Sequence, residues 1–242
     1  MRGGRLDRNL GSMMSSILLA VTLAAAFYAG LFLLRRRGDV RPTLQALWPA
    51  GVVFGVTALL GIAQLIFPSV LTALERNGDK LRDGQIWRIF TPLFVQDGGG
   101  AGLVFNLAAM ALLSVPFVLL FGNRRWFLLY FGTGLAAEII AYTLIDQGSA
   151  GNSVANFGVA AGLAFIALLS TDPKAKSAGV VASIAGLALL GMGNLHGAAF
   201  LVGFVLMGIG WLMGIRQTNR INTGPSVAED PQEKGVNGAG RL

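Results

Sequence analysis

The 242-residue chain contains a single histidine, His196, and no cysteine. Any chemistry that needs an imidazole must therefore use His196, while thiolate nucleophiles, disulfides and multi-histidine metal sites are ruled out. Two other polar groups stand out inside apolar stretches, Asn106 and Ser153. A serine hydroxyl is a weak nucleophile until a base takes its proton, and a neutral imidazole is the usual base. A tetrahedral intermediate needs hydrogen-bond donors at its oxyanion. The Asn106 amide is one candidate donor, and the free N–H groups of a helix start near Ser153 are others. The three together would support acyl transfer to water, that is, peptide hydrolysis. Each also has a plainer reading alone. Serine in a membrane helix commonly bonds back to its own turn, and asparagine or histidine between helices commonly serves as interhelical glue.

These residues must be positioned by membrane helices. The chain is 54% hydrophobic and only 13% charged, against about 25% charged in a soluble domain. That balance excludes a purely soluble enzyme and a disordered chain. A spanning helix needs about 20 mostly apolar residues, and seven segments qualify: 12–34, 46–67, 102–121, 126–145, 151–170, 177–192 and 196–215. The last two come from one run without Asp, Glu, Lys or Arg, which breaks at Gly191-Met192-Gly193-Asn194, a turn sequence. The sixth is the shortest and the weakest candidate. No segment alternates as a barrel strand would. The first is too long for a signal-peptide core and lacks a cleavage site before Arg35-Arg36-Arg37, so it reads as a retained helix.

Lysine and arginine in short loops set orientation. Arg35, Arg36, Arg37 and Arg41, Arg124 and Arg125, Lys174 and Lys176, and Arg216 and Arg220 all fall on one side of a seven-span chain. That side is expected to be cytoplasmic, with the C-terminus on it. The net charge of +7 is read as topology and attraction to anionic lipid rather than nucleic-acid binding. The N-terminus, with Arg2, Arg5 and Arg8, fits this less well; a start of translation at Met13 or Met14 would remove the conflict. Residues 216–242 are polar, without apolar period, and read as a disordered cytoplasmic tail. Spans three, five and seven then all begin at the external face. Asn106 is the fifth residue of its span, Ser153 the third and His196 the first, which places them at similar depth. Gly158-x-x-x-Gly162 and Ala199-x-x-x-Gly203 offer the small surfaces that let spans five and seven approach closely.

Four stretches then resemble the rhomboid family of intramembrane serine proteases, in order over about residues 46–215. Gly84-Gln85-Ile86-Trp87-Arg88-Ile89-Phe90-Thr91 is similar to the family's G-Q-x-W-R-x-x-T loop stretch, and Phe105-Asn106 to its F-N. Gly151-Asn152-Ser153-Val154-Ala155-Asn156-Phe157-Gly158 is similar to G-x-S-G-x-x-[FY]-G. His196 with Ala199 and Gly203 is similar to H-x-x-G-x-x-x-G. The resemblance implies an all-α, polytopic membrane bundle: a six-helix core at 46–215 preceded by an N-terminal transmembrane helix and basic loop at 1–45. It implies Ser153 as nucleophile, His196 as general base and acid, and Asn106 with the Ser153 backbone N–H as oxyanion hole. Substrates would be membrane-anchored proteins cut near the external end of their transmembrane helix, with no metal or organic cofactor. The host membrane would be a bacterial inner membrane; the oligomeric state is left open.

Three positions depart from the family pattern. Gly102 stands where a histidine often adds to the oxyanion site. Val154 replaces the glycine after the nucleophile, where a β-branched residue would crowd the substrate carbonyl. Val118 stands where a glutamate is common. These departures favour a second reading, a catalytically inert rhomboid-like protein that binds transmembrane segments. A small transporter or channel would need paired ionisable groups at mid-membrane, for which Glu138 is the one candidate; a buried structural hydrogen bond is the preferred reading of that residue. Trp87 reads as an interfacial anchor, Arg88 as a brace of its loop, and Gly98-Gly99-Gly100 as a flexible entry to span three. Asp97 and Asp146 lie in loops on the His196 side.

Overall fold

The computed structural model describes residues 3–38, 42–144 and 150–213. Asp146, Arg41, Arg216, Arg220 and the tail at 216–242 lie outside them. The described residues are helical, without strands. The long helices are α1 (Gly3–Arg37), α2 (Leu44–Ile66), α5 (Gly99–Phe121), α6 (Asn123–Leu144), α7 (Ser153–Leu169), α8 (Pro173–Gly191) and α9 (Leu195–Leu212). Two short helices, α3 (Ser69–Leu74) and α4 (Gly78–Arg82), and two 3-10 turns, Ile86–Ile89 and Thr91–Phe94, fold the connection between α2 and α5. All the long helices except α7 are long and apolar enough to cross a membrane.

Helix α7 occupies the centre. It has 17 residues, shorter than the expected span 151–170, and at 1.5 Å per residue reaches about 25 Å. Every residue from Val154 to Ala164 is buried, as expected of a helix apolar on all sides. Around it α5, α6, α9, α8 and α1 form a closed ring, each packing on the next and all on α7; α2 lies outside, against α5. Helix α1 is thus part of the ring, between α5 and α8. It makes its most extensive contact with α8. A Cβ on Gly30 would stand 2.9 Å from Pro116 of α5 and 3.3 Å from Leu163 of α7, so glycine is what lets α1 seat there. At its C-terminal end Arg36 bonds Asp172 at 3.2 Å and Thr171 at 2.7 Å. Its neighbour Arg37 donates to the Leu119 and Leu120 carbonyls, at the end of α5, at 2.6 and 2.8 Å.

The starts of α8 and α5 also differ from the sequence reading. Helix α8 begins at Pro173 rather than 177, because Asp172 caps it, accepting from Lys174 N at 2.8 Å and Ala175 N at 3.1 Å. Proline at the first helical position after an Asp cap favours a helix start, so Lys174 and Lys176 belong to the helix. Gly99 and Gly100 are not a flexible entry: they form the first turn of α5, with Gly98 at its cap.

Small residues set the helix distances, since lipid provides little hydrophobic drive between helices. A Cβ on Gly203 of α9 would lie 2.6 Å from Gly158 Cα on α7, so backbone meets backbone there. Gly162 faces elsewhere, against Leu129 of α6 and Phe117 of α5. Only the Gly158 half of that motif serves the α7–α9 contact.

Candidate active site

Ser153 is the first residue of α7, and Asn152 at its cap makes no side-chain capping bond. The first N–H groups of a helix lack intrahelical acceptors, so the backbone donors beside Ser153 are not taken by the cap side chain. His196 is the second residue of α9. Its Nε2 lies 2.9 Å from Ser153 Oγ. Both side chains are half-buried, and the imidazole edge rests on buried Phe157, ring centroids 5.0 Å apart. The Gly158–Gly203 approach lies five residues further along α7 and seven further along α9, within about two turns of the pair, and this close helix contact accounts for the reach of the hydrogen bond.

Asn194 caps α9 and fixes the imidazole. Its Oδ1 accepts the His196 backbone N–H at 2.9 Å and lies 2.8 Å from Nδ1. An atom that accepts a backbone N–H is the amide oxygen, so the Nδ1 facing it must carry the proton. Nε2 is then left with its lone pair towards the serine hydroxyl.

Asn106 is the eighth residue of α5 rather than the fifth of its span, because the helix starts at Gly99. It nevertheless reaches the same place. Around Gly151, a Cβ would stand 3.5 Å from Ser153 Oγ and 3.9 Å from Asn106 Nδ2; Gly151 adopts φ +152°, where side chains are strained. Asn106 Nδ2 donates to Gln96 Oε1 at 2.6 Å, and Gln96 Nε2 donates to Asn152 Oδ1 at 3.0 Å. Gln96 is itself clamped by Gln64 of α2, which accepts from its backbone N–H at 2.9 Å and donates to its carbonyl. From the other side Asn156 Nδ2 donates to the Asn106 carbonyl at 3.0 Å.

The loop before α5 sets the height of Ser153. Gly151 N donates to Pro92 O at 2.9 Å, Asp97 N to Ala150 O at 3.2 Å, and Ala150 N to Asp97 Oδ2 at 3.3 Å. The Gly84–Thr91 stretch holds that loop together. Arg88 donates to the carbonyls of Thr72 and Glu75, both at 2.9 Å, and to Gln85 Oε1 at 2.8 Å. Thr91 Oγ1 donates to Leu74 O at 2.6 Å. Arg88 is thus the brace expected of it, while Trp87 is half exposed. Glu138 is packed inward against a donor: Arg76 of the same loop meets it at 2.6 Å, both side chains at most 3% exposed.

The chain matches the family model described as the rhomboid domain over residues 83–218, more than half its length. It belongs to the rhomboid family. The Rhomboid protease GluP of Bacillus subtilis (strain 168) is 29% identical to this rhomboid over 93 residues, which is 38% of this chain and 18% of that protein. The match therefore spans less than a fifth of that relative. No solved structure matches the chain significantly. Family and fold together make this rhomboid a multi-pass integral membrane protein. Two of the departures in this rhomboid take on physical meaning. Val154 is buried and belongs to the hydrophobic core, so its branched side chain takes part in the packing of α7. A Cβ at Gly102 would meet nothing within 4 Å, so the space for the absent histidine is open. Among the described residues no group of three or more His, Asp or Glu could hold a metal ion.

Proposed function

We propose that this rhomboid is an intramembrane serine protease in which Ser153 attacks the scissile carbonyl of a membrane-anchored substrate. The single observation that carries the reading is the 2.9 Å contact between Ser153 Oγ and a His196 Nε2 whose tautomer Asn194 has set. His196 takes the serine proton as the Oγ–C bond forms, then returns it to the leaving amine; water repeats the cycle on the acyl-enzyme. The imidazolium formed in each step keeps its Nδ1–H on Asn194 Oδ1, a neutral acceptor where other serine hydrolases use a carboxylate. The oxyanion would be met by the Asn106 amide and by the N–H of Ser153 at the start of α7, where the helix dipole is positive. The bond cut would lie near the external end of a substrate helix, since the basic ends of α1, α6 and α8 are taken as cytoplasmic. That orientation also puts the C-terminus in the cytoplasm, in keeping with a bacterial inner membrane.

The test is covalent labelling of the purified protein by a fluorophosphonate, beside Ser153→Ala and His196→Ala. Labelling lost in both variants supports the dyad. A folded protein that stays unlabelled, while an active rhomboid labels in parallel, turns the assignment to an inert protein that binds transmembrane segments.

A further inference from the structure

An apolar groove of about 440 Å³ lies between α6 and α9, remote from Ser153. That volume falls in the range of ligand pockets, about 300–1,000 Å³. We propose that it binds one phospholipid of the leaflet at the basic end, with an acyl chain in the groove and an anionic headgroup on Arg125. The inference does not depend on the hydrolase reading.

Length argues for a lipid. On α6 the lining runs from Arg125 to Ala136, and on α9 from Val202 to Met213. Each stretch rises about 16 Å, close to half of a hydrocarbon core of about 30 Å. The groove therefore reaches from one interface to the bilayer midplane. A transmembrane helix would need twice that length, whereas one acyl chain spans it.

Polarity is graded in the same sense. Arg125 and Trp211 stand at the interfacial end, and Arg125 is the one charged residue of the lining. Arg124 adjoins it in sequence. Arg125 Nη1 reaches the Phe121 carbonyl at 3.5 Å; a guanidinium has five donors in a fork suited to phosphate and can hold both. Basic pockets between helices at a cytoplasmic interface suit anionic headgroups, and tryptophan favours that depth. Deeper in, Leu128 and Leu206 expose apolar surface, which suits a hydrocarbon chain. Gly132 of α6 lies in the wall of the groove. A Cβ there would meet Leu206 Cδ1 at 3.6 Å, an ordinary contact, so the backbone admits a side chain at this point of the groove wall.

The experiment is native mass spectrometry of the full chain, delipidated in detergent and then given dioleoyl phosphatidylglycerol or dioleoyl phosphatidylcholine. One phosphatidylglycerol should be retained per chain, about fivefold above phosphatidylcholine, the preference one arginine near the surface provides. Arg125→Gln should erase the preference, and Gly132→Leu should remove retention of both lipids. Equal retention of the two lipids by the wild type, or undiminished phosphatidylglycerol on a folded Gly132→Leu, overturns the proposal. So does tight binding of soluble glycerol phosphate, which has no chain to place. Should Gly132→Leu fail to fold, Arg125→Gln alone decides: an unchanged preference refutes the site.

Discussion

Asn106 Nδ2 donates to Gln96 Oε1 at 2.6 Å, so the amide proposed for the oxyanion site is held by a residue that Gln64 and Asn152 fix in turn through three further hydrogen bonds. Gln96 does not meet the dyad; it is a positioning residue. Gln96→Met keeps the shape and removes the bond to Asn106. Its fluorophosphonate labelling rate should fall roughly 10–10²-fold, less than the ~10²–10³ expected on losing an oxyanion donor itself, as in Asn106→Ala. Wild-type labelling by Gln96→Met would mean that Asn106 orients without help.

Asn194 holds the imidazole tautomer. Asn194→Ala leaves Nδ1 without its acceptor, and labelling should slow by about 10²-fold or more, within the range of a general base. Loss of the helix cap adds about 1 kcal/mol of instability. Asn194→Asp restores an acceptor for both N–H groups, so its rate should stay within about tenfold of wild type. If alanine and aspartate variants label alike, the tautomer is set by something else.

Arg76 and Glu138 form a buried pair between the loop and α6. Removing one partner strands the other. Arg76→Met should cost about 3–5 kcal/mol, while Arg76→Met with Glu138→Leu should recover most of it. Reversible unfolding in mixed micelles reads both. A single variant as stable as the double would place the pair's worth near zero.

Asp172 couples pH first to the start of α8, which it caps, and through Arg36 to the docking of α1. Its carboxyl is held below the usual carboxylate range chiefly by the Ala175 N–H, with the Lys174 N–H and Arg36 adding to it and burial opposing it. A group whose folded pKa is depressed contributes stability that is complete above the unfolded value, about 3.9, and is lost as pH falls through the folded one. The wild type should lose thermal stability between about pH 5 and 3 more steeply than Asp172→Asn. Parallel curves for the two proteins would remove Asp172 from the acid response.

Much of this was legible in the residues. Ser153 and His196 stand out in the sequence as rare polar groups at apolar helix starts, the structure brings the two side chains together, and the Gly84–Thr91 and Gly151–Gly158 stretches carry the family resemblance. Asn194 was read only as a turn residue, although an asparagine two places before a histidine has the reach to cap a helix and hold a ring. Gln64 and Gln96 are not legible in this way: their meaning lies in a contact between α2 and a loop 32 residues away, which no local period encodes. A glutamine inside the apolar run of α2 was the available signal. The place of α1 in the ring was likewise not legible, because Gly30 looks like any membrane glycine until Pro116 stands against it.

Arg36 and Arg37 are neighbours in sequence yet grip different partners, one the cap of α8 and the other the end of α5. Successive residues of a helix point about 100° apart. Rolling α1 about its own axis in either sense must slacken one grip while straining the other. The helix is therefore keyed like a shaft in its seat: it can tilt, but its angular setting is locked from the basic end, and with it the face that α1 turns towards α7.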